Sequence, residues 1–143
     1  MITTYPAIFY EEPKGGYTVY FPDLNHGATC GDDYEDAVTM AIDYMAFYLW
    51  SEKLEGNPFP LPSPPETIDI HELEDDEWHA VSAFIQYISV DVKAYAKKNF
   101  ERPVKVTVTL PLWVRNTASV RRISFSKALT QKLIAEINTI PGK

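Results

Sequence analysis

The first part of the chain alternates β-branched and aromatic side chains with turn-forming residues, which predicts short antiparallel strands. Residues 4–10 fit a first strand, residues 11–16 contain two glycines suited to a turn, and residues 17–21 fit the returning strand. A break at 22–27 precedes a short third strand at 28–31. We therefore expect an antiparallel sheet that begins with a hairpin.

The stretch that follows, from residue 34 to residue 55, has helical periodicity. Asp32 or Asp33 is placed to cap its N-terminus, and Gly56 is placed to end it. The apolar positions that share one face of this helix are Tyr34, Ala37, Val38, Ala41, Met45, Tyr48 and Leu49. The pattern predicts a long amphipathic helix packed on the sheet.

Two large aromatic side chains of this helix, Phe47 and Trp50, fall outside the apolar face. Large apolar groups off the main face of a helix need their own cover. Either the helix is covered on a second side, or a partner docks there.

The middle of the chain changes character several times. Five prolines within 57–65 predict a stiff extended crossing, and 68–77 is acidic and poorly patterned. Residues 78–90 are apolar on both alternating faces, so this strand is buried on two sides, or buried on one side with an interface on the other. Residues 91–98 fit a short helix, and 99–103 fit a hinge.

The ending begins with one short alternating strand at 104–110. One face holds Val104, Val106, Val108 and Leu110. The other face holds Lys105, Thr107 and Thr109. A proline then precedes two short helices up to residue 138, whose apolar positions are Trp113, Val114, Ala118, Ile123, Phe125, Leu129, Leu133 and Ile137. A valine face this short needs both helices and a second copy of itself to be shielded from water.

Charge is divided unevenly along the chain. The net charge of the 143 residues is −7, yet 1–92 holds two lysines against eighteen acidic residues, and 93–143 holds eleven basic residues against two acidic ones. An acidic body with a basic end suggests two partners of opposite charge, although uneven surface solvation is an alternative. DNA suits the basic end and is repelled by the rest. We therefore predict one domain at 1–98 and another at 104–143.

The basic end has the residue types that a DNA-binding ribbon needs. Two antiparallel copies of the strand would form a ribbon that fits the major groove and presents three polar side chains from each copy: Lys105, Thr107 and Thr109. Ser124 or Ser126 can cap the second helix, whose free N–H groups would receive a phosphate. The same turn adds three cations: Arg121, Arg122 and Lys127. The alternative is a module that only dimerises, which does not need this excess of basic residues.

No catalytic site, metal site or cofactor is predicted. The aspartates that could serve a metal-dependent nuclease lie in turns or in the acidic run: Asp23, Asp32, Asp33, Asp75 and Asp76. The three histidines lack metal-ligand spacing, and Cys30 is the only cysteine, which excludes an internal disulfide. The apolar runs are too short to span a membrane, and no signal pattern opens the chain. We expect a cytoplasmic protein that is not an enzyme.

Several stretches together resemble a known family. They are Tyr-Pro-Ala-Ile-Phe at 5–9, Gly-Tyr-Thr-Val-Tyr-Phe-Pro-Asp-Leu at 16–24, the residues 28–37, and the proline run at 58–64. They resemble the HicB antitoxins of bacterial HicA–HicB toxin–antitoxin pairs. The ending at 106–126, with Trp113, Ile123 and Ser-Phe-Ser at 124–126, is similar to the ribbon–helix–helix version of the HicB C-terminus.

The resemblance implies an α+β chain: a partial ribonuclease H-like antiparallel sheet with one long helix and no nuclease activity, then a ribbon–helix–helix module. In the family, the first domain binds and blocks HicA, a small basic RNA-cleaving toxin, and the second dimerises on operator DNA as a repressor. The implied partners are a HicA-type toxin, operator DNA and a second copy, with a higher assembly left open. The candidate toxin-facing residues are Phe47, Trp50, Glu72, Glu74, Asp75 and Asp76.

The sequence departs from the family pattern in two places, and one of them is the helix start before Trp113, where the family often has an acidic residue and this chain has few polar residues. The turn between the two C-terminal helices usually carries a glycine, and this chain has Arg122 followed by Ile123. A non-glycine residue at positive φ is strained by roughly 1 kcal/mol, so we expect the turn to adopt another geometry. A second hypothesis for the whole chain is a stand-alone dimeric transcription regulator whose acidic domain senses a small ligand.

Overall fold

The computed structural model of the protein describes residues 1–139 and divides the chain into two compact units, Met1–Pro103 and Val104–Lys143. The described residues form one four-stranded antiparallel sheet and four α-helices. The predicted α+β class is confirmed. None of the helices within residues 1–139 is both long and apolar enough to cross a lipid bilayer.

The sheet of the first unit is antiparallel throughout, in the order β3-β2-β1-β4. Its four strands are β1 (Ile2–Glu11), β2 (Tyr17–Phe21), β3 (Gly27–Gly31) and β4 (Ser82–Asp91). The apolar strand β1 is central because both of its edges are paired: Phe9 lies opposite Val19 in β2 and opposite Phe84 in β4. The predicted hairpin and third strand are confirmed.

Helix α1 (Tyr34–Leu54) covers one face of the sheet. Of the two predicted caps, Asp33 is the one used: its carboxylate accepts a hydrogen bond from the N–H of Asp36 at 2.8 Å. Gly56, with φ of 79°, takes the left-handed conformation expected just past a helix end. The core beneath α1 contains Tyr5, Ala7, Phe9, Val19, Phe21, Leu24, Ala41, Met45 and Leu49.

A second helix covers part of the outer side of α1. Helix α2 (Val92–Asn99) begins directly after β4. The ring of Phe100, the residue after α2, lies 5.4 Å from the ring of Phe47 and 5.3 Å from that of Trp50. The interpretation of a second cover is therefore correct for Trp50, which is half-buried, whereas Phe47 remains 52% exposed.

The face of the sheet away from α1 is covered by the chain that connects α1 to β4. Ile8, Tyr10 and Tyr20 are buried there beneath the apolar side chains of that segment, which are Ile68, Ile70, Trp78 and Ala80. Asp23 fixes the proline run, because its carboxylate accepts hydrogen bonds from both the N–H and the hydroxyl of Ser63. The acidic segment thus has an apolar inner side that its irregular spacing concealed.

Strand β4 starts later than predicted. The predicted strand over 78–90 was wrong at its N-terminal end, because Trp78 lies outside the strand and packs edge-on against Tyr10, with ring centroids 5.6 Å apart. Within β4, Ile88 is buried on the helix face, whereas Tyr87 on the opposite face is exposed. Phe84 packs on the helix side and Ile85 on the opposite side, so the N-terminal half of β4 is partly buried on both faces. The exposed Tyr87 shows that burial on both faces does not extend over the whole strand.

The second unit contains helices α3 (Leu112–Val120) and α4 (Phe125–Thr139). Residues 104–111 belong to no helix or strand in this single chain, and Val106 is 71% exposed. From residue 104 to residue 139 no residue is buried. One copy of this unit leaves its apolar side chains exposed to water. The predicted strand at 104–110 is not formed in the single chain, and its formation with a second copy stays a prediction.

Candidate nucleic-acid interface and partner surfaces

The polar side chains of the predicted ribbon are accessible in the single chain. Lys105, Thr107 and Thr109 are all exposed and alternate in sequence with the valines. In an extended backbone, alternate residues point to opposite sides. An extended conformation of this stretch would therefore separate an apolar side from a side with one ammonium and two hydroxyl groups.

The turn between α3 and α4 keeps positive φ without a glycine. Arg122 has φ of 55°. Its N–H donates to the carbonyl of Ser119 at 3.1 Å, and the N–H of Ile123 donates to the carbonyl of Ala118 at 2.9 Å. These are the two hydrogen bonds of a Schellman helix end. The expectation of another geometry was wrong: the hydrogen bonds at the end of α3 hold the arginine in a strained conformation.

The start of α4 settles which serine caps the helix. The hydroxyl of Ser124 accepts a hydrogen bond from the N–H of Lys127 at 3.3 Å, so Ser124 is the N-cap. Ser126 lies inside the first turn, with its hydroxyl exposed. The exposed cations of this turn are Arg121, Arg122 and Lys127. Cations beside the free N–H groups of a helix start form an arrangement suited to an anion such as phosphate.

Replacing Arg122 with glycine is expected to separate stability from charge at this turn. Arg122→Gly should stabilise the second unit by about 1 kcal/mol, because glycine adopts positive φ without steric conflict. We also expect weaker DNA binding, because the variant removes one of the three exposed cations of this turn. Urea unfolding measures the stability and a DNA titration measures the affinity. The control Arg122→Lys keeps both the charge and the backbone strain, so it should change neither the stability nor the affinity appreciably. Equal stability of the glycine and lysine variants would contradict the strain at this turn.

The candidate toxin-facing residues lie in two separate places on the first unit. Phe47 and Trp50 project from α1, on the helix side of the sheet. The acidic residues Glu72, Glu74, Asp75 and Asp76 belong to the segment that covers the opposite face. The structure therefore does not bring the two predicted sets together.

Glu74 is held within its own segment. Its carboxylate lies 2.5 Å from Nδ1 of His71 and 3.4 Å from Nδ1 of His79, and it accepts a hydrogen bond from the N–H of Ala80 at 3.2 Å. Only 11% of its side chain is exposed. The hydrogen bond with His71 is the main reason that the pKa of Glu74 is lowered and that of His71 is raised. Glu74 therefore stabilises the segment and is poorly placed for a partner.

The other acidic residues of the segment differ from one another. Asp75 accepts hydrogen bonds from the N–H groups of Glu77 and Trp78, at 2.9 and 2.8 Å, so it shapes the turn. Glu72 accepts a hydrogen bond from the hydroxyl of Tyr20 at 3.0 Å. Burial, followed by this bond, raises the pKa of Tyr20 to about 12. Asp76 is exposed. Of the four predicted acidic residues, Glu72 and Asp76 are therefore the two exposed ones that do not hold the backbone of the segment, and Asp69 and Glu77 are exposed beside them.

The sequence did not lead us to predict that the histidines contact these carboxylates. His26 lies with Nδ1 2.6 Å from the hydroxyl of Tyr20 and 3.8 Å from the carboxylate of Glu72. The short separation of His71 and Glu74 in the sequence was an available signal. No signal in the sequence indicated the contact of His26 with Glu72, because that contact depends on how the segment crosses the sheet. Within residues 1–139, no three His, Cys, Asp or Glu side chains are placed to hold a metal ion.

The stability of the first unit is expected to depend on pH through His71. Because the pKa of His71 is raised above 6.5 in the folded state, its contribution is complete below 6.5 and is lost as the pH rises through the folded value. Because the pKa of Glu74 is lowered from 4.5, its contribution is lost only at lower pH. Urea unfolding between about pH 6 and about pH 8.5 should show stability falling with pH. His71→Gln should reduce that slope, and an unchanged slope would contradict the assignment.

The comparison with known proteins identifies the N-terminal part. Residues 4–71 match the family model described as the HicB_like antitoxin of bacterial toxin-antitoxin system. This segment is similar to the HicB-like antitoxin family. The resemblance inferred from the sequence is thereby confirmed for these residues, which include most of β1 and all of β2, β3, α1 and the proline run.

One curated relative matches part of the chain. The chain is similar to Antitoxin HicB 1 of Photorhabdus laumondii, with 37% identity over 68 residues that cover 46% of this chain and 44% of the relative. The match thus spans less than half the length of that relative.

Two solved structures match nearly the whole chain. A chain of a toxin–antitoxin complex from Streptococcus pneumoniae has a TM-score of 0.62 and 27% identity, with 95% of this chain and 99% of that one covered. The antitoxin HicB of Burkholderia pseudomallei has a TM-score of 0.50 and 17% identity, with 95% and 97% covered, and shows a shared fold alone.

Proposed function

We propose that this chain is the antitoxin of a HicA–HicB-type pair, which binds a small basic RNA-cleaving toxin and represses its own operon as a dimer on operator DNA. The observation that carries the proposal is the division of charge between two compact units. Residues 1–103 hold six basic and nineteen acidic residues, and 104–143 hold seven basic and one acidic residue. An acidic HicB-like unit attracts a basic toxin, and a basic unit attracts DNA.

The finer description of the fold is part of this proposal. The sheet with α1 is proposed to be a partial ribonuclease H-like domain without nuclease activity, and residues 104–143 a ribbon–helix–helix module. The exposed valines of the ribbon stretch support dimerisation, because two copies paired antiparallel would bury them against α3 and α4. We place the protein in the cytoplasm, where its DNA and its toxin are found.

The DNA-binding mode follows from the two features of the second unit. A ribbon of two copies would place Lys105, Thr107 and Thr109 against base edges in the major groove. The start of α4, with Ser124, would receive a backbone phosphate. The remaining phosphate contacts would come from Arg121, Arg122, Ser126 and Lys127. Base contacts supply sequence discrimination, and phosphate contacts fix the position on the duplex.

Substitution of the ribbon is expected to affect DNA and toxin differently. The double change Lys105→Ala with Thr107→Ala should weaken operator binding by about 1–3 kcal/mol for each lost base contact. Toxin neutralisation should survive, because both residues lie in the second unit. A fluorescence titration with operator and with scrambled DNA measures the first effect, and a growth assay with co-expressed toxin measures the second. Loss of both activities would contradict the separation of roles.

Of the two candidate toxin surfaces, the acidic one fits a basic partner better. Glu72 and Asp76 expose carboxylates, whereas Glu74 and Asp75 are occupied within the segment. Glu72→Lys with Asp76→Lys should therefore weaken toxin binding more than Trp50→Ala does. Calorimetric titration with the purified toxin measures this order, and Glu66→Lys with Glu55→Lys serves as a charge-matched control. The reverse order would move the toxin site to α1.

One experiment tests the proposal as a whole. The reading frame beside the gene is expected to encode a small basic protein with a double-stranded-RNA-binding pattern and one histidine. Expression of that protein alone should stop growth, and co-expression of this chain should restore it. Absence of such a neighbour, or no rescue, would favour the stand-alone regulator with a ligand-sensing domain. RNA cleavage by this chain with Mg²⁺ would instead favour a nuclease.

A further inference from the structure

The basic groups of the first unit are concentrated in one place. Residues 1–91 hold two lysines against eighteen acidic residues. Residues 92–103 hold a single acidic residue and four basic ones: Lys93, Lys97, Lys98 and Arg102. All four are exposed, and none of them forms an ion pair with a carboxylate among the described residues. The acidic unit thus carries one basic patch, formed by these four residues of α2 and the loop after it.

The packing of α2 turns its lysines toward water. Val92 and Ala96, which are four residues apart, are both buried and define the inward side of the helix. With 3.6 residues per turn, Lys93, Lys97 and Lys98 fall on the outward side. The side chains of the three lysines are therefore available to a partner, and no apolar contact of the unit depends on them.

The carboxylates next to α2 are already occupied. Asp43 in α1 accepts a hydrogen bond from the hydroxyl of Tyr95 at 2.9 Å. Asp91 caps α2 by accepting a hydrogen bond from the N–H of the residue at 94, at 3.0 Å, and lies 3.1 Å from the N-terminal ammonium of Met1. Glu101 is the one acidic residue within 92–103. The patch therefore keeps a net positive charge beside these groups.

The patch is tied by a short stretch of chain to the proposed DNA-reading ribbon. Helix α2 ends at Asn99, and the ribbon stretch begins at Val104. Five residues span at most about 18 Å, whatever the arrangement of the two units. Along a DNA strand with about 3.4 Å per base pair, this distance corresponds to about five base pairs. A ribbon seated in the major groove therefore keeps the patch close to the phosphates beside its own site.

We propose that the basic patch contacts the backbone phosphates that flank the site read by the ribbon. This inference rests on the proposed DNA binding by the second unit and adds a second contact surface to it. Lysines meet phosphates as point charges, so the patch adds affinity and no base discrimination. A few such contacts on an acidic unit do not retain DNA alone, but the ribbon holds them at high effective concentration.

The position of the patch is compatible with a toxin on the same unit. Val92, Tyr95 and Phe100 pack with α1 on one face of the sheet. The acidic segment covers the opposite face, where it packs on Ile8 and Tyr10. DNA on the patch would therefore leave the acidic segment free for a basic partner. The strong charge separation within the first unit would also orient its acidic side away from the DNA.

The salt dependence of DNA binding tests the patch in the full chain. The probe is a duplex that carries the footprinted site upstream of the gene, with about one helical turn of DNA on each side. Lys97→Gln with Lys98→Gln should make the plot of log K against log salt concentration shallower by about 0.9 for each lost phosphate contact. Two lysines from each of two copies give a change of up to about 3.6. The ratio of affinities for this duplex and a scrambled one should stay unchanged.

Two further variants separate charge from position. Lys14→Gln with Lys53→Gln removes the same charge from two exposed positions elsewhere in the first unit and should leave the slope unchanged. Lys97→Arg with Lys98→Arg keeps the charge and should keep the slope. A purely structural role of the two lysines, which lie in the last turn of α2, would lower the urea midpoint of the glutamine variant and leave its slope unchanged.

Trimming the DNA locates the contact. On a duplex cut back to the ribbon site, the flanking phosphates are missing, so the unmodified chain and the glutamine variant should show the same slope. An unchanged slope of the glutamine variant on the long duplex, or an equal change in the Lys14 and Lys53 control, overturns the inference while DNA binding by the second unit stands. A lower ratio for the footprinted over the scrambled duplex overturns the phosphate assignment. No DNA binding by the unmodified chain removes the proposed function together with this inference.

Discussion

Deletion of residues 104–143 is expected to abolish operator binding and to leave toxin binding intact. All buried side chains among residues 1–139 belong to the first unit, the last of them being Ala96, so the truncated chain keeps its core. The remaining unit is strongly acidic and repels the phosphates of DNA. An electrophoretic mobility shift with operator DNA and a pull-down with tagged toxin measure the two activities.

The truncation needs a check that the remaining unit is folded. Near-ultraviolet circular dichroism should retain the signal of the packed aromatic groups around Phe9, Tyr17 and Phe84, all in the first unit. A truncated chain that binds operator with unchanged affinity would refute the assignment of DNA binding to the second unit. A folded truncated chain that no longer binds toxin would place part of the toxin site beyond residue 103.

Val106→Asp and Thr107→Asp are expected to fail in different ways although the residues are neighbours. Val106 belongs to the apolar side of the ribbon stretch, so a carboxylate there would be buried between two copies without a partner, which costs several kcal/mol. The lost valine burial adds about 1.5–3 kcal/mol for each copy. The dimer dissociation constant should therefore rise at least about 100-fold, which corresponds to roughly 3 kcal/mol. DNA binding is lost with the dimer.

Thr107→Asp places the same charge on the polar side. Its dimer should persist, while DNA binding falls because a carboxylate faces the groove. Sedimentation equilibrium measures dimerisation, and a DNA titration at fixed salt measures affinity. Because both variants add one negative charge, a difference between them reports the side of the stretch and not the charge. Equal dimerisation of the two variants would rule out the valine side as the dimer contact.

The parts of the fold that local patterns determine were predictable. The hairpin follows from two alternating stretches around a glycine-containing turn, and α1 follows from its spacing, its aspartate cap and Gly56. The family resemblance concerned these same stretches, and residues 4–71 match it. These features need only residues that are close in sequence, which is why one sequence sufficed.

Features that depend on distant contacts were predicted poorly. The start of β4 was misplaced because Trp78 is as apolar as a strand residue, yet it packs against Tyr10 from outside the strand. The roles of Glu74 and Asp75 were hidden, because an acidic run looks the same whether its carboxylates face a partner or their own backbone. Only the path of the segment over the sheet distinguishes these cases.

The turn at Arg122 shows how a correct general rule can give a wrong local expectation. Positive φ does cost free energy for arginine, and from this we expected a different turn. The two Schellman hydrogen bonds hold the conformation nevertheless. The cost of one strained residue is comparable to the contribution of one or two hydrogen bonds, about 0.5–1.5 kcal/mol each, so the helix end prevails.

The strained arginine at the end of α3 has a consequence for variation among related chains. A glycine at position 122 removes the backbone strain and also removes one positive charge from the turn. Related chains with glycine at this position are expected to carry an additional lysine or arginine elsewhere in the same turn. The total positive charge of the turn should therefore vary less among relatives than the identity of any single residue in it.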